Sequence, residues 1–314
     1  MPLAPTSLDL LLAAIALWLG IGLAGLLRPQ WMAFVARVLF PLGAIVALAV
    51  ALVGILALSA PPESAVLALG LPTLPFHLRL DALSGFFLLL LGASSAGISV
   101  FSAGYFRLGE GTPPGLMCLQ YHVFLASMAL VVIADDAYAF MVSWEAMALS
   151  SFFLVATNHR IAEIRRAAYL YLLIAHIGAL AILLCFGVLQ ANTGDYTFAN
   201  MRAQHLDAIW GWIGFSLALV GFGTKAGLVP LHVWLPEAHP AAPSPVSALM
   251  SGVMLKMAVY GFLRVSLDLL QVPMPGWGLL ALGVGLFTAL YGAIFSSVQT
   301  DMKRLLAYSS IENI

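Results

Sequence analysis

Residues 221–245 read GFGTKAGLVPLHVWLPEAHPAAPSP, and five prolines interrupt this otherwise apolar stretch. Each proline removes a backbone hydrogen-bond donor and breaks regular helix. Interrupted backbone at membrane depth is tolerated only where protein or a water-filled cavity surrounds it. Membrane transporters commonly place their ion sites in such discontinuous helices. The stretch therefore predicts a broken helix, over about residues 208–242, inside a membrane protein.

The composition of the whole chain agrees with a membrane location. The 314 residues are 62% hydrophobic and 9% charged, and the mean hydropathy is +1.01. These values exclude an ordinary soluble domain. The net charge of −1, without a basic run, excludes nucleic-acid binding. Cys118 and Cys185 lie in apolar segments without C-x-x-C spacing, so we expect core residues rather than metal or iron–sulfur ligands.

The length of the apolar runs predicts an all-α bundle of membrane-spanning helices. A helix needs about 20 apolar residues to cross the hydrocarbon core, and these runs are too long for barrel strands. Asp9 precedes the first run, which lacks a basic region, so we expect a retained span rather than a cleaved signal peptide. Arg37 and Pro41 indicate that the second span starts late in its run. The candidate spans are 7–27, 31–58, 80–105, 115–134, 136–157, 164–190, the broken 208–242, 244–270 and 276–298.

The distribution of basic residues predicts an exterior N-terminus by the positive-inside rule. With alternating spans, and the broken region counted as one crossing, eight basic residues fall on the inner side and three on the outer side. The inner set is Arg28, Arg37, Arg107, Arg160, Arg165, Arg166, Lys303 and Arg304, and the outer set is Arg79, Arg202 and Arg264. Lys225 and Lys256 lie within spans.

Glu145 and Lys225 are the first candidates for a functional site. Charges at bilayer depth are costly, and they mark ion or proton paths by default. A Glu145–Lys225 contact would form a switchable pair, because loss of the lysine's proton changes the surroundings of the carboxylate. Two interpretations of Lys225 stay open on spacing alone. It is either a buried proton carrier or a lysine that reaches the membrane surface from a helix end.

Lys256 lies near the middle of 244–270, too deep to reach the surface easily. Burial disfavours the charged form of a lysine, so an enclosed lysine can gain and lose a proton. The alternative is a structural ion pair. The small residues Ala248, Ser251 and Gly252 precede it and would let a neighbouring helix approach closely.

Several histidines and acids are weaker candidates. His232, Glu237 and His239 lie in the broken stretch, next to carbonyl groups freed by the prolines. His176, in the middle of 164–190, is a further possible relay residue, whereas His122 is better explained as a hydrogen-bonded core group.

Three other features have structural explanations. Arg264 and Asp268, four residues apart, predict an ion pair near a helix end, and Asp135 and Asp136 predict a solvated loop. The glycine pattern of residues 20–25 matches G-x-G-x-x-G, but it lies within a span with no preceding strand. Helix packing explains it better than a dinucleotide-binding fold.

The motifs of the second half carry a family resemblance. They are Lys225 with Pro-Leu-His at 230–232, Trp-Leu-Pro at 234–236, Ala-His-Pro-Ala-Ala-Pro-Ser at 238–244, and residues 299–314. They resemble the proton-translocating, antiporter-like subunits of respiratory complex I. Residues 174–178, 238–244 and 247–254 are similar to one branch, that of hydrogenase-4 component B and formate hydrogenlyase subunit 3. The similarity runs from about Asp81 to the end, whereas residues 1–75 match only in hydropathy.

The resemblance implies a fold of about fourteen helices with two inverted repeats, each holding a broken helix. Residues 1–79 would then be peripheral helices, 80–298 would contain the first repeat, and 299–314 would begin a further helix of a truncated second repeat.

The resemblance also implies roles for individual residues. Glu145 falls on the family's glutamate of the fifth helix, Lys225 on the lysine of the broken seventh helix, and Lys256 on the lysine of the eighth. His232 and His239 fall on histidines of the broken-helix motif. This favours the buried interpretation of Lys225.

The resulting functional prediction is a membrane-arm subunit that moves protons, coupled to electron transfer in a hydrogenase or complex I-like assembly. Its partners would be the other membrane and peripheral subunits, in a bacterial or archaeal plasma membrane. We expect no cofactor in this chain. The alternatives are a subunit of a secondary Na⁺/proton antiporter, and a membrane anchor of a hydrogenase that does not pump.

Overall fold

The computed structural model describes residues 5–106, 111–191, 194–270 and 274–314. Nine helices within these ranges are long and apolar enough to cross a membrane, so the chain is a multi-pass membrane protein. The helices are α1 (Ser7–Leu26), α2 (Met32–Ala57), α3 (Ala82–Tyr105), α4 (Pro114–Ile133), α5 (Ala137–Val155), α6 (Ala162–Gln190), α7 (Phe198–Ala203), α8 (Ala208–Ala226), α9 (Leu235–Ala241), α10 (Ser244–Leu269), α11 (Pro275–Ser297) and α12 (Met302–Glu312).

The predicted helical bundle is confirmed, and each predicted span overlaps one observed span, with ends that agree within two residues. The expectation of a late start for the second span is wrong, because α2 begins at Met32. A π-helical segment, Val35–Leu39, contains Arg37 and leads into the regular helix that holds Pro41 in its first turn. The helix thus continues past the proline. Arg107, counted in the orientation argument, lies outside the described residues.

A β-hairpin between α2 and α3 was not predicted. Its strands, β1 (Glu63–Leu71) and β2 (Leu74–Leu80), pair antiparallel, with Glu63 opposite Leu80. On β2 the buried residues Phe76, Leu78 and Leu80 alternate with less buried ones, as a strand with one covered face requires. The hairpin lies between two long apolar helices in the sequence. The alternation of buried and exposed residues covers only a few positions, so the hydropathy pattern of the chain does not reveal it.

Close glycine contacts set the spacing of two helix pairs. A side chain on Gly25 of α1 would meet the backbone oxygen of Gly115 in α4 at 2.9 Å. A side chain on Gly221 of α8 would meet the oxygen of Gly178 in α6 at 3.0 Å. The first contact confirms that the glycine pattern of residues 20–25 serves helix packing. The second brings α8 against α6, which carries residues of the functional site.

A charge cluster joins the ends of several elements at one end of the bundle. Arg264, in the last turns of α10, donates to both carboxylate oxygens of Asp81 at 2.7 and 2.8 Å and to Asp268 at 3.0 Å. Arg202 of α7 donates to Asp268 at 3.0 Å and to Asp135 at 2.8 Å. The predicted Arg264–Asp268 pair is therefore confirmed, within a larger network.

The prediction that Asp135 and Asp136 are solvated is wrong. Asp135 pairs with Arg202, and Asp136 is fully buried as the N-cap of α5. The Asp136 carboxylate accepts the backbone N–H groups of Ala139 and His77, both at 2.6 Å. Burial raises the pKa of Asp136 in spite of these hydrogen bonds. At Asp81 burial acts in the same direction, but Arg264 prevails and holds its pKa well below the usual range.

Candidate functional site

The helix predicted to be broken is broken after Ala226. Gly227 has a left-handed backbone (φ 93°), and the N–H of Leu228 bonds the Gly223 carbonyl at 2.8 Å, which ends α8. A short 3₁₀ turn, Leu231–Trp234, follows, and α9 completes the crossing. Trp234 reaches back across the break and donates from Nε1 to the Thr224 carbonyl at 2.9 Å. Two backbone carbonyl groups at the break, those of Gly223 and Thr224, therefore accept hydrogen bonds from residues on its far side.

Lys225 is buried in the last turn of α8, with 2% of its surface exposed. Its ammonium group donates to the Tyr171 hydroxyl of α6 at 2.6 Å and lies over the same ring, 4.7 Å from the centroid. The negative end of the α8 dipole favours a cation here. Although Lys225 is at a helix end, its side chain is buried and does not reach the surface. That it carries a proton stays a prediction.

The tyrosine that receives Lys225 is itself held by two further side chains. Its hydroxyl lies 2.6 Å from Ser151 Oγ on α5 and 3.6 Å from Met254 Sδ on α10. Ser151 in turn lies 2.7 Å from the Met147 carbonyl. Ser151, Tyr171 and Met254 are all fully buried. Lys225 therefore begins a chain of hydroxyl groups that crosses from α8 through α6 to α5.

Glu145 and Lys225, both among the described residues, form no ion pair with each other, and the expected direct contact is wrong. The Glu145 carboxylate lies 3.5 Å from His176 Nε2 instead. Tyr171, and not Glu145, occupies the position next to the ammonium.

His176 is also placed differently from a core histidine. Its side chain is 49% exposed and that of Glu145 is 32% exposed, so the pair lies on the outer face of α5 and α6. The other ring nitrogen, Nδ1, lies 3.0 Å from the Leu172 carbonyl of the same helix. His122, by contrast, is fully buried against the Cys118 carbonyl, as expected for a core group.

Lys256 lies half-buried at an open cavity of about 490 Å³, whose wall is mainly apolar but carries several polar groups. Its ammonium donates to the Ser251 carbonyl at 3.3 Å. Within the described ranges Lys256 has no carboxylate partner. The structural ion pair that was the alternative explanation of this lysine is therefore not found among these residues. Serine hydroxyls and two lysines supply the polar groups of the wall, and a space of this volume beside such groups can hold several water molecules. The lining comprises His239, Ser244, Ser247, Ala248, Ser251, Gly252, Lys256, Lys303, Leu306, Ser309, Ser310 and Asn313.

The two histidines of the broken stretch have separate surroundings. His239 lines the cavity of Lys256, is 3% exposed, and lies with Nδ1 2.9 Å from Ser247 Oγ. His232 is 6% exposed and packs edge-on against Tyr291, with ring centroids 4.8 Å apart. The structure therefore joins His239 with Lys256 but places His232 outside this cavity.

Helix α12 closes one side of the cavity and binds the broken helix. Lys303 donates to the Ala242 carbonyl at 2.9 Å, just beyond the end of α9. Arg304 pairs with Glu237, and both side chains are nearly half exposed. The predicted helix within residues 299–314 is confirmed as α12. Whether it begins a second repeat stays a prediction, as do the boundaries proposed at 79 and 298.

Sequence reasoning missed Ser151, Tyr171 and Lys303. No local pattern distinguishes Tyr171 from the other aromatic residues of the apolar spans. Cys118 and Cys185 are fully buried and free, as predicted. Across the described residues, no group of three or more His, Cys, Asp or Glu side chains is placed to hold a metal ion.

Fold and site together define a class: multi-pass helical membrane proteins that bury a lysine at a broken helix. A family model described as "NADH:quinone oxidoreductase/Mrp antiporter, TM" matches residues 134–314. The chain belongs to this family, and the predicted resemblance is confirmed.

Individual relatives agree with this assignment. The chain is 42% identical to hydrogenase-4 component B of Escherichia coli strain K12 over 239 residues, which covers 76% of the chain and 35% of that protein. It is 30% identical to formate hydrogenlyase subunit 3 of the same organism over 244 residues, 76% of the chain and 38% of that protein. The chain thus spans little more than a third of the length of these relatives.

A solved structure extends the similarity to the N-terminal helices. The Mrp complex from Dietzia sp. DQ12-45-1b superposes with a TM-score of 0.81 at 28% identity, over 96% of this chain and 33% of that one. Residues 1–75, which match the family only in hydropathy by sequence, are therefore largely included in the shared fold.

Proposed function

We propose that this chain is the proton-translocating part of a membrane-arm subunit, in a hydrogenase-4-type or NADH:quinone oxidoreductase-like complex that transfers electrons. The observation that carries the proposal is Lys225, an ammonium group buried at a broken helix with a hydroxyl chain as its only polar contact among the described residues. Such groups are expensive in a membrane and are retained for ion or proton movement.

The roles we assign follow the surroundings of each group. Lys225 takes up and releases the proton, and Glu145 modulates it by charge from α5. Lys256 and His239 continue the path through their shared cavity, with Lys303 at its wall. His176 tunes Glu145 through their 3.5 Å contact. His232 has the weakest support, because it faces Tyr291 and not the cavity.

The partial exposure of the Glu145 and His176 side chains supports the presence of partner subunits. A carboxylate and an imidazole on the outer face of spanning helices would meet acyl chains unless another protein covered them. We propose that a second membrane subunit of the complex covers this face, that the chain lies in a bacterial or archaeal plasma membrane, and that its N-terminus is outside.

The experiment is proton uptake by inverted membrane vesicles that carry the complete complex, energised through its own electron transfer. We expect Lys225→Ala to abolish uptake and Lys256→Ala to lower it severalfold, with electron transfer retained. Arg28→Ala, at an exposed residue outside the site, is the control and leaves uptake unchanged. Full uptake in both lysine variants would refute the assigned path.

A second candidate function is secondary exchange of sodium for protons. The structural match to an Mrp complex favours it. Sodium uptake by vesicles in response to a pH gradient, without any electron donor, would support this alternative. No proton movement by the wild-type complex, with assembly and electron transfer intact, would leave a membrane anchor as the function.

A further inference from the structure

Lys225 and Glu145 each have a different partner in this structure. Lys225 bonds Tyr171, and Glu145 contacts His176. The two pairs are neighbours, because Tyr171 and His176 lie five residues apart on α6, and a lysine side chain has four rotatable bonds with which to move. Two arrangements are therefore open to the ammonium group: the hydroxyl of Tyr171, as seen here, or the carboxylate of Glu145.

The hydrogen bonds between Lys225, Tyr171 and Ser151 can run in either of two directions, with the donor and acceptor roles reversed. When Lys225 is charged, it donates to the Tyr171 oxygen, so the phenol must donate onward to Ser151 or Met254. Ser151 then donates to the Met147 carbonyl. When Lys225 is neutral, its nitrogen accepts, and the phenol can donate back to it. The same oxygen atoms thus serve both protonation states without moving.

We propose that Tyr171 is a positioning residue that holds Lys225 away from Glu145, so that the lysine can release its proton. The proposal rests on the function proposed above, in which Lys225 carries the proton. Ser151 and Met254 fix the phenol from two other helices, and the Trp234 ring, 4.9 Å from the Tyr171 ring centroid, closes its side. A rigid neutral acceptor in this position binds the ammonium less strongly than a carboxylate would.

Other titratable groups lie on elements packed against α8, and each has to be considered. They are Glu163, Arg165, Arg166, Tyr169, His176 and Cys185 on α6, His232 in the 3₁₀ turn, Lys256, Tyr260, Arg264 and Asp268 on α10, and Tyr291 on α11. No hydrogen bond or ion pair in the described residues joins any of these groups to Lys225, whose polar partner is Tyr171.

The test is the pH profile of proton uptake in the complete complex with Tyr171→Phe. If Tyr171 keeps the lysine from Glu145, its loss lets the ion pair form, and a nearby opposite charge favours the ammonium. We expect the profile to move to higher pH by about one unit, so that uptake near neutral pH falls roughly tenfold. A merely structural hydrogen bond predicts the opposite sign, because a buried ammonium without its acceptor loses its proton more easily.

Two further variants make the interpretation specific. In a Glu145→Gln background, Tyr171→Phe can no longer cause an ion pair, so the shift to higher pH must vanish. Tyr121→Phe is the matched control, because Tyr121 is also fully buried and hydrogen-bonded to a serine, Ser99 at 2.9 Å, but on α4. It leaves the pH profile unchanged.

The outcomes separate this inference from the function on which it rests. No proton movement in the wild type overturns both. Normal pumping in the wild type, with an unshifted or acid-shifted profile in Tyr171→Phe, overturns the inference alone. If Tyr171→Phe does not accumulate in membranes, Ser151→Ala decides, because it removes one of the two side chains that fix the phenol and so lets Lys225 move towards Glu145. Met254 still accepts from the phenol, so the profile must shift in the same direction by a smaller amount.

Discussion

Replacing Arg264 with alanine removes the centre of the charge cluster that joins α3, α7 and α10. The guanidinium group, 6% exposed, donates to both oxygens of Asp81 and to Asp268, and also to Ser84 and Tyr260. Breaking a buried ion pair by removing one partner typically costs about 3–5 kcal/mol, because the other charge stays buried. Asp81 keeps the Ser84 N–H at 3.0 Å and Arg79 at 3.7 Å, so we expect the lower limit, about 3 kcal/mol.

The assay is thermal unfolding of the full-length protein in detergent. At roughly 2 °C per kcal/mol for a large chain, Arg264→Ala lowers the midpoint by about 6 °C. Arg304→Ala is the matched control, because its pair with Glu237 is 42% and 47% exposed and is worth under about 1 kcal/mol. Equal midpoints for the two variants would refute the reasoning.

The pH dependence gives a second check on the same cluster. Because the pKa of Asp81 lies below its ordinary value of 3.8, its contribution to stability is present above about pH 4 and is lost as the pH falls further. Between pH 5 and pH 3 the wild-type midpoint must therefore fall more steeply than that of Arg264→Ala. Parallel curves would contradict the assignment of the shift to Arg264.

Three further predictions follow from packing. Gly221→Val forces α8 away from α6 and lowers both the unfolding midpoint and proton uptake. Gly187→Val, on an open part of α6, changes neither quantity. Equal effects of the two variants in these assays would contradict the close contact. Cys118 and Cys185 are fully buried, so a maleimide labels them only after unfolding, and labelling of the native protein, measured by mass, would show that the core is open. Lys303→Ala frees the Ala242 carbonyl and loosens α12 from the broken helix, which should speed protease cleavage near residue 301 relative to Arg28→Ala; identical digestion rates would contradict this contact.

The elements that could be predicted are those with a strong local signal. Nine apolar runs predicted the membrane spans, and five prolines predicted the break in the helix. Lys225 and Lys256 were recognised as candidates because charged residues are rare in this chain. The hairpin was missed because its alternation covers only a few residues beside much longer apolar runs.

The site was predicted less completely, because its contacts depend on helix packing. Tyr171 meets Lys225 because Gly178 and Gly221 bring α6 and α8 together, and neither the distance nor the facing residues can be read from one helix. Asp136 is buried because β2 brings the N–H of His77 to its carboxylate across 59 residues of chain. Glu145 and Lys225 were singled out from the sequence, but their partners, His176 and Tyr171, were not predicted.

The number of protons moved per electron pair by the Lys225→Ala complex tests the central claim most directly. Counting both quantities in the same vesicles makes electron transfer an internal control for assembly. The account predicts continued electron transfer with fewer protons per electron pair than in the wild type. An unchanged ratio would contradict it, because the buried ammonium of Lys225 would then carry no protons.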